Sequence, residues 1–368
     1  MPELDYGRLI RVLREERETE TPVLLPDFFL DHFVTADGFS DFTTRLQRLA
    51  NQGGGNLTGT SQLVRRGGNS VNTASALFSL GLQPILIVKT DAQGARLLHE
   101  MTDPGLDLSH VRTDGRLSST VSIEVDHGGR RVNLMVSDSG SAADFSFSDL
   151  RETDKDAIRD SGLVGLLCLN HNLGAPSLAQ DVFSFVRNES NALTFMDMGD
   201  PSSNPAIVEP LALKVLAKDL VDVLGANENE ICWFASALSG DKEWLEAIDR
   251  PEDWLSAAQM VSETAGVRVD IHTPYYAATV EEGNMVGIPV FEVESQVICG
   301  AGDAWNAGNI YGELLGLDNQ SRIALANAVA ALYVSSPDAS HPSQSALMEF
   351  LESTPSLSER GKKLLMSP

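Results

Sequence analysis

Short apolar blocks alternate along this chain with longer stretches of helical periodicity. Leu163 to Leu169 is continuously apolar, the pattern of a strand buried on both faces of a parallel sheet. Thr21 to Val34, Pro84 to Lys89, Ala192 to Met196, Val221 to Leu224 and Val267 to Ile271 also read as strands, and the run Pro289 to Ile298 is β-rich. Helical patterns cover the residues after Gly94 to Met101, Pro205 to Lys218, Trp233 to Leu238, Trp254 to Ala265, Ala304 to Leu315, Ser321 to Tyr333 and Ser343 to Leu351. Strands that alternate with helices of about ten or more residues predict a doubly wound, mostly parallel α/β sheet. Ligands of such sheets bind beyond the carboxyl ends of the strands, and Asp31, Asn227, Glu230 and Asp303 all fall at or near predicted ends.

Three stretches depart from this rhythm. Residues 1–20 read as a charged helical leader with Leu9, Ile10, Val12 and Leu13 on one side. Residues 35–66 are polar, include Gly53-Gly54-Gly55, and read as loop with short strands rather than a buried element. Thr120 to Val125 alternates, His127-Gly128-Gly129 turns, and Arg130 to Val136 returns, which predicts an exposed antiparallel flap. With no internal repeat and no low-complexity linker, the 368 residues are expected to form one α/β domain, residues 1–368.

Charge narrows the choice of partner. The formal net charge is −25, which argues against nucleic acid or an anionic membrane. A bound nucleotide would need Mg²⁺ or aligned backbone dipoles to offset that field. Lysine is confined to Lys89, Lys155, Lys214, Lys218, Lys242, Lys362 and Lys363. Surplus surface carboxylate with so little lysine suits a protein kept soluble in molar salt, which screens self-repulsion, and predicts a halophilic, archaeal source. Cys168, Cys232 and Cys299 lie far apart with no zinc-ligand spacing. The N-terminus has no apolar signal core and no apolar run approaches spanning length, so a soluble cytoplasmic protein is expected.

Candidate chemistry lies in glycine-rich turns that open helices. Gly300-Ala301-Gly302-Asp303 follows the β-rich run and precedes a helix. Such a turn offers unpaired N–H groups and the positive end of the helix dipole, an anion site. An acid there either caps the helix or moves a proton. Gly67-Gly68-Asn69-Ser70-Val71-Asn72 is a second such turn, and the Asn72 amide could donate to and accept from a sugar hydroxyl. Asp27 and Asp31 interrupt an apolar strand and need a partner or a task, unless the strand bends at Pro26.

Taken in order, these motifs resemble the ribokinase (phosphofructokinase-B) family of small-molecule kinases. The resemblance rests on Gly67-Gly68-Asn69-x-x-Asn72-x-Ala74 with Asp91-x-x-Gly94, on Asn227-x-x-Glu230, on Gly300 through Gly308, and on Asp31 five residues after Pro26. It implies a ribokinase-like α/β fold with a small β-sheet lid from segments 32–66 and 113–138, through which relatives often pair two subunits. It also implies ATP- and Mg²⁺-dependent phosphoryl transfer to a sugar hydroxyl. Asp303 would be the general base, and the N–H groups of Gly300, Ala301 and Gly302 an anion hole. One such donor is worth roughly 3–4 kcal/mol in other enzymes. By the same resemblance Asp31, Gly67, Gly68 and Asn72 would bind substrate. Asn227, His272, Tyr275 and Asn327 would face the nucleotide. Asn227 and Glu230 would hold Mg²⁺, largely through water.

Two places differ from the family pattern. Val297-Ile298-Cys299 stand where relatives commonly have Asp-Thr-Thr, a segment that helps build their monovalent-cation site. His272-Thr273-Pro274-Tyr275 contains no glycine where the nucleotide loop is usually glycine-rich. A nucleoside kinase, with Phe28, Phe29 and Phe33 near a base, and a catalytically weak sugar-binding sensor therefore stay open beside the sugar kinase.

The charge pattern yields a direct test. Thermal unfolding followed from dilute buffer to molar salt should show a midpoint that rises steeply with salt. Full stability in dilute buffer would refute the halophilic assignment.

Overall fold

The computed structural model describes residues 4–15 and 19–366. Twelve strands form two sheets: β1 Pro22–Leu25, β2 Phe29–Gly38, β3 Ser61–Gly67, β4 Ile85–Leu86, β5 Ser118–His127, β6 Arg130–Asp138, β7 Leu163–Leu167, β8 Leu193–Asp197, β9 Val223–Ala226, β10 Arg268–His272, β11 Tyr276–Glu281 and β12 Asn284–Pro289. The main sheet has eight strands in the order β12-β11-β10-β9-β8-β7-β1-β4. Strands β10, β9, β8, β7, β1 and β4 pair in parallel; β11 and β12 extend the sheet antiparallel. The architecture is ribokinase-like α/β, with helices on both faces of this sheet and a second, smaller sheet.

Side-chain alternation divides the core. Val23, Leu25, Val164 and Leu166 face helices Ala175–Glu189, Glu228–Ser239 and Trp254–Ala265. Leu24, Leu86, Leu163 and Leu167 face helices Asn69–Ser79, Ala301–Leu314 and Asn319–Ser335. The last two helices approach closely because Gly308 has no side chain: a Cβ there would come within 2.7 Å of the Ala326 Cα. Buried Asp270 on β10 is held ionised by Arg322, with Asn309 and Thr279 filling the remaining hydrogen bonds. At the sheet edge, helix Glu359–Met366 lies over β12, Leu365 filling the space beside Gly287. Among the described residues no helix is long and apolar enough to cross a membrane.

The second sheet runs β3-β2-β5-β6 and takes its strands from the two segments expected to make a lid. It is mixed rather than purely antiparallel, because β2 pairs with β5 in parallel. Cross-strand register places Asp31, Arg65 and Thr120 on one face, and Val64, Val121, Val136 and Leu134 on the other.

Three expectations fail. Thr21 to Val34 is not one strand: it ends at Leu25, crosses a cis Leu25–Pro26 bond, and resumes at Phe29 in the other sheet. Residues 35–66 contain a helix, Phe39–Asn51, whose Phe42 packs with Ala36 and Val125 over the end of the small sheet. Pro289 to Ile298 is no strand. Its backbone bonds to scattered partners, Glu292 N–H to the Ser356 carbonyl and Gln296 and Val297 N–H to that of Val334, so no ladder forms. Its apolar residues Phe291, Val293 and Val297 are spent on the core instead.

Candidate active site

Both helix-opening turns converge at the carboxyl ends of the main strands. The first is fixed by Asp27, fully buried where the chain passes between the two sheets. Its carboxylate accepts the N–H groups of Asn69 at 2.9 Å and Ser70 at 2.8 Å, capping helix Asn69–Ser79 from a distant point in the chain. Gly68 has φ 95°, and a Cβ there would sit 3.0 Å from the Asp27 carbonyl oxygen and the Phe28 Cα, so conformation and space both demand glycine. A Cβ on Gly67 would overlap the Asp31 carboxylate. Asp31, Gly67, Gly68 and Asn72 are thereby gathered on one wall.

The second turn hinges on Gly300, with φ 87°. Tyr333 donates to the Cys299 carbonyl at 2.9 Å and occupies the space a Gly300 side chain would need. The helix starts at Ala301, one turn before the expected Ala304, which puts Asp303 within its first turn. Ala301 N–H is taken by the Ile298 carbonyl at 3.1 Å, closing the tight turn before the helix. The anion hole expected from Gly300, Ala301 and Gly302 is therefore altered. Of the N–H groups from Gly300 to Ala304, those of Gly300, Gly302 and Asp303 have no acceptor among the described residues.

Asp303 is buried, and its Oδ2 accepts from Asn72 Nδ2 at 2.9 Å. Burial pushes its carboxyl up to about 8; the Asn72 hydrogen bond pulls the other way, and Asp27, Asp197 and Asp31 add repulsion. Asp31 is raised to about 6, mainly by burial and then by Asp27. A cavity of about 380 Å³ joins them, and its wall includes Asp31, Asp197, Asp200, Glu230 and Asp303 with no lysine or arginine.

Asn227 and Glu230 form a capping box: Asn227 Oδ1 accepts the N–H of Asn229 and Glu230, while the Glu230 carboxylate accepts Asn227 N–H and Nδ2, each at 3.0 Å. Glu230 is raised well above its ordinary value by burial and by Asp197. Asp197 is raised by burial against its bonds from Asn306 Nδ2, at 2.6 Å, and Gly199 N–H. This hard-oxygen set suits a hydrated Mg²⁺. Among the described residues no three acids, histidines or cysteines are grouped to hold a metal directly, so such an ion would keep waters between itself and the protein.

The nucleotide-facing expectations divide. His272 lines the cavity beside Gly302, packs against Trp305 and is held neutral, burial lowering it to about 4. Tyr275 does not reach the cavity. His272 to Tyr276 is a tight turn between antiparallel strands, and the Tyr275 ring stacks on Trp254 under the Arg360 guanidinium. Asn327 is also spent elsewhere: it accepts from Trp305 Nε1 and donates to the Ile288 and Pro289 carbonyls. Sequence reasoning passed over Asp197, Asp200, Asn306, Arg65 and Tyr333. Asp197 carried a usable signal, an acid closing an apolar strand.

Comparison with known proteins gives the family and the fold. The family model described as pfkB family carbohydrate kinase matches residues 39–346. An ATP-dependent ribose-1-phosphate kinase of the archaeon Halopiger xanaduensis is 28% identical over 321 residues, 84% of this chain and 94% of that protein. Arabidopsis thaliana ribokinase, solved with ribose and ATP, superposes with a TM-score of 0.71 at 16% identity, over 91% of this chain and 99% of its own. Adenosine kinase of Sinorhizobium meliloti superposes at 0.65 with 16% identity, over 92% of this chain and 100% of its own. At such identities the two solved structures speak to fold.

The raised Asp303 carboxyl has a thermodynamic signature. Its folded value, about 8, lies above the ordinary 3.8, so ionising it opposes folding. That cost is absent below about pH 4, grows between about 4 and 8, and is constant above. Asp303→Asn should therefore unfold at a higher temperature than wild type at pH 8, with the gain shrinking as pH falls toward 4. A variant no more stable at pH 8 than at pH 4, relative to wild type, would contradict this.

Proposed function

Because the chain belongs to the pfkB family of carbohydrate kinases, phosphotransferases that act on a sugar hydroxyl, we propose that it transfers the γ-phosphoryl group of ATP to a hydroxyl of a sugar or sugar-like acceptor, with Asp303 as general base. The observation that carries this reading is the pairing of buried Asp303 with Asn72, beside unpaired N–H groups at a helix N-terminus. The halophile relative, named for ATP and ribose 1-phosphate, brings a phosphorylated pentose within the acceptor class.

In this scheme Asp31 accepts hydrogen bonds from acceptor hydroxyls, and Gly67 and Gly68 let the sugar approach the backbone. Asn72 Nδ2 holds the Asp303 carboxylate, leaving Asn72 Oδ1 for a further hydroxyl. Asp303 takes the proton of the attacking hydroxyl as the new O–P bond forms and the bond to ADP breaks. Charge on the transferring group meets the N–H groups of Gly300, Gly302 and Asp303 and the helix dipole. Neutral His272 lines the phosphate side without adding charge. Mg²⁺ would be held through water by Glu230, Asn227 and Asp197, and would neutralise nucleotide phosphates facing an all-acidic wall. The cysteines are free, in keeping with a cytoplasmic setting.

A nucleoside acceptor is the second reading, favoured by Phe29 and Phe33 on the cavity wall, Phe29 lying 4.7 Å from the His171 ring. The outer face of the small sheet exposes Val64, Val121, Leu134 and Val136, which a second copy of the chain would cover. A monomeric mass in solution at stabilising salt would exclude that dimer.

A coupled ADP assay over sugars, sugar phosphates and nucleosides tests the whole. Asp303→Asn should lower kcat by about 10²- to 10⁴-fold with the fold intact. Turnover should vanish on chelation and return with added Mg²⁺. Wild-type kcat in the variant, or turnover unaffected by chelation, would defeat the mechanism; higher kcat/KM on nucleosides than on any sugar would select the second reading.

A further inference from the structure

We propose that the acceptor carries an anionic group of its own, bound by Arg65 with Arg66 behind it, so that the substrate is a phosphorylated or acidic sugar rather than a neutral one. This rests on Asp303 marking where the reacting hydroxyl sits. A second cavity of about 850 Å³ opens beside the first, and Asp31, Asn72, Cys299 and Gly300 line both. A molecule with one hydroxyl at Asp303 would extend into it.

Of the two spaces, only the larger has arginines on its wall. The smaller cavity has five carboxylates on its wall and no cationic side chain; the larger carries Arg65 and Arg66. Both come from the end of β3, and Arg65 is the cross-strand neighbour of Asp31 on the face turned to the site. In a chain with 52 acids these two arginines find no carboxylate partner among the described residues. Other arginines, from exposed to fully buried, do: Arg151 with Asp154, Arg112 with Asp114, Arg268 with Glu313, Arg322 with Asp270. Asp31, Glu124 and Asp338 share the larger wall but lie beyond ion-pair distance of both guanidinium groups.

Arg66 is held in place, its Nε donating to Ser75 Oγ at 3.1 Å and one Nη to the Met101 carbonyl at 3.2 Å. Arg65 has no hydrogen-bond acceptor among the described residues. A guanidinium on a cavity wall with its donors unspent is built for a planar or tetrahedral oxyanion, which it can grip through two N–H groups at once. Successive strand residues point to opposite faces, so Arg65 makes the contacts while Arg66 adds positive charge from behind, and a bound anion relieves the repulsion between the two. Phosphate and carboxylate share this chemistry. With a phosphate, the product is a sugar bisphosphate.

The test compares pentose and hexose phosphates, sugar acids and the parent neutral sugars in the coupled assay, with wild type, Arg65→Gln and Arg65→Lys. The expected result is that an anionic acceptor has the highest kcat/KM. Arg65→Gln should raise the KM for that acceptor roughly 10- to 100-fold, leaving the KM for ATP unchanged, and Arg65→Lys should recover part of the loss. Whether the phosphates or the acids lead identifies the anion. A neutral sugar with equal or higher kcat/KM, or an Arg65→Gln defect equal for neutral and anionic acceptors, would overturn the proposal. If nothing is turned over, the kinase reading fails, and calorimetry with the same sugar phosphates and acids decides the anion site separately. Binding lost in Arg65→Gln upholds it, and binding absent from wild type or unchanged in the variant ends it.

Discussion

Asp303 is buried with an amide, not a cation, as its hydrogen-bond partner, and much of the architecture is arranged to tolerate that. A carboxylate removed from water favours its neutral form unless dipoles or ions compensate. The chain supplies dipoles: the first turn of helix Ala301–Leu314 and the Asn72 amide. It withholds side-chain cations from that cavity. The cavity is therefore electrostatically incomplete by itself, and in the proposed mechanism a cation arriving with the nucleotide would complete it and tie the readiness of Asp303 to occupancy. Buried Asp270 shows the opposite solution, an acid held ionised by Arg322 in the core of the same molecule.

Local signals were legible and distant ones were not. Gly68 and Gly300 could be read because a positive φ followed by a helix leaves a mark within a few residues. The start of the last active-site helix was read one turn late because Gly302 looks like loop although it is helical. Helix Phe39–Asn51 escaped notice because its only deeply buried residue is Phe42, so its apolar stripe is too thin to register. Tyr275 and Asn327 looked available for the nucleotide, but Trp254 and Trp305, from remote stretches, claim them. Arg65 and Arg66 drew no attention because their lack of acidic partners exists only in three dimensions. Asp27 is a mixed case: the sequence marked it as an acid needing a partner or a bend at Pro26, but not its place between two sheets or its task as a cap for a helix more than forty positions later.

The two sheets carry different duties. The main sheet is buried on both faces and fixes Asp197, Asn227 and Glu230 at its strand ends. The small sheet brings Asp31, Arg65 and Thr120 across from one side, so the two walls of the candidate site belong to separate layers. Asp27 stands at their junction, and its hydrogen bonds keep Gly68 in register with both.

The helix laid over β12 bears on how the molecule meets others. A strand at the rim of a sheet offers a row of unsatisfied backbone groups that a foreign strand can complete, a route to fibrils as readily as to specific complexes. Here the chain lays its own helix Glu359–Met366 against the face of that rim strand, with Leu365 seated at Gly287 and the backbone of Gly361 against Tyr275. The small sheet has no such guard along β6, where Met135 and Val136 stand exposed and no further strand pairs. A foreign strand would thus meet a helix beside one rim and, among the described residues, bare strand at the other, next to the arginine-lined mouth.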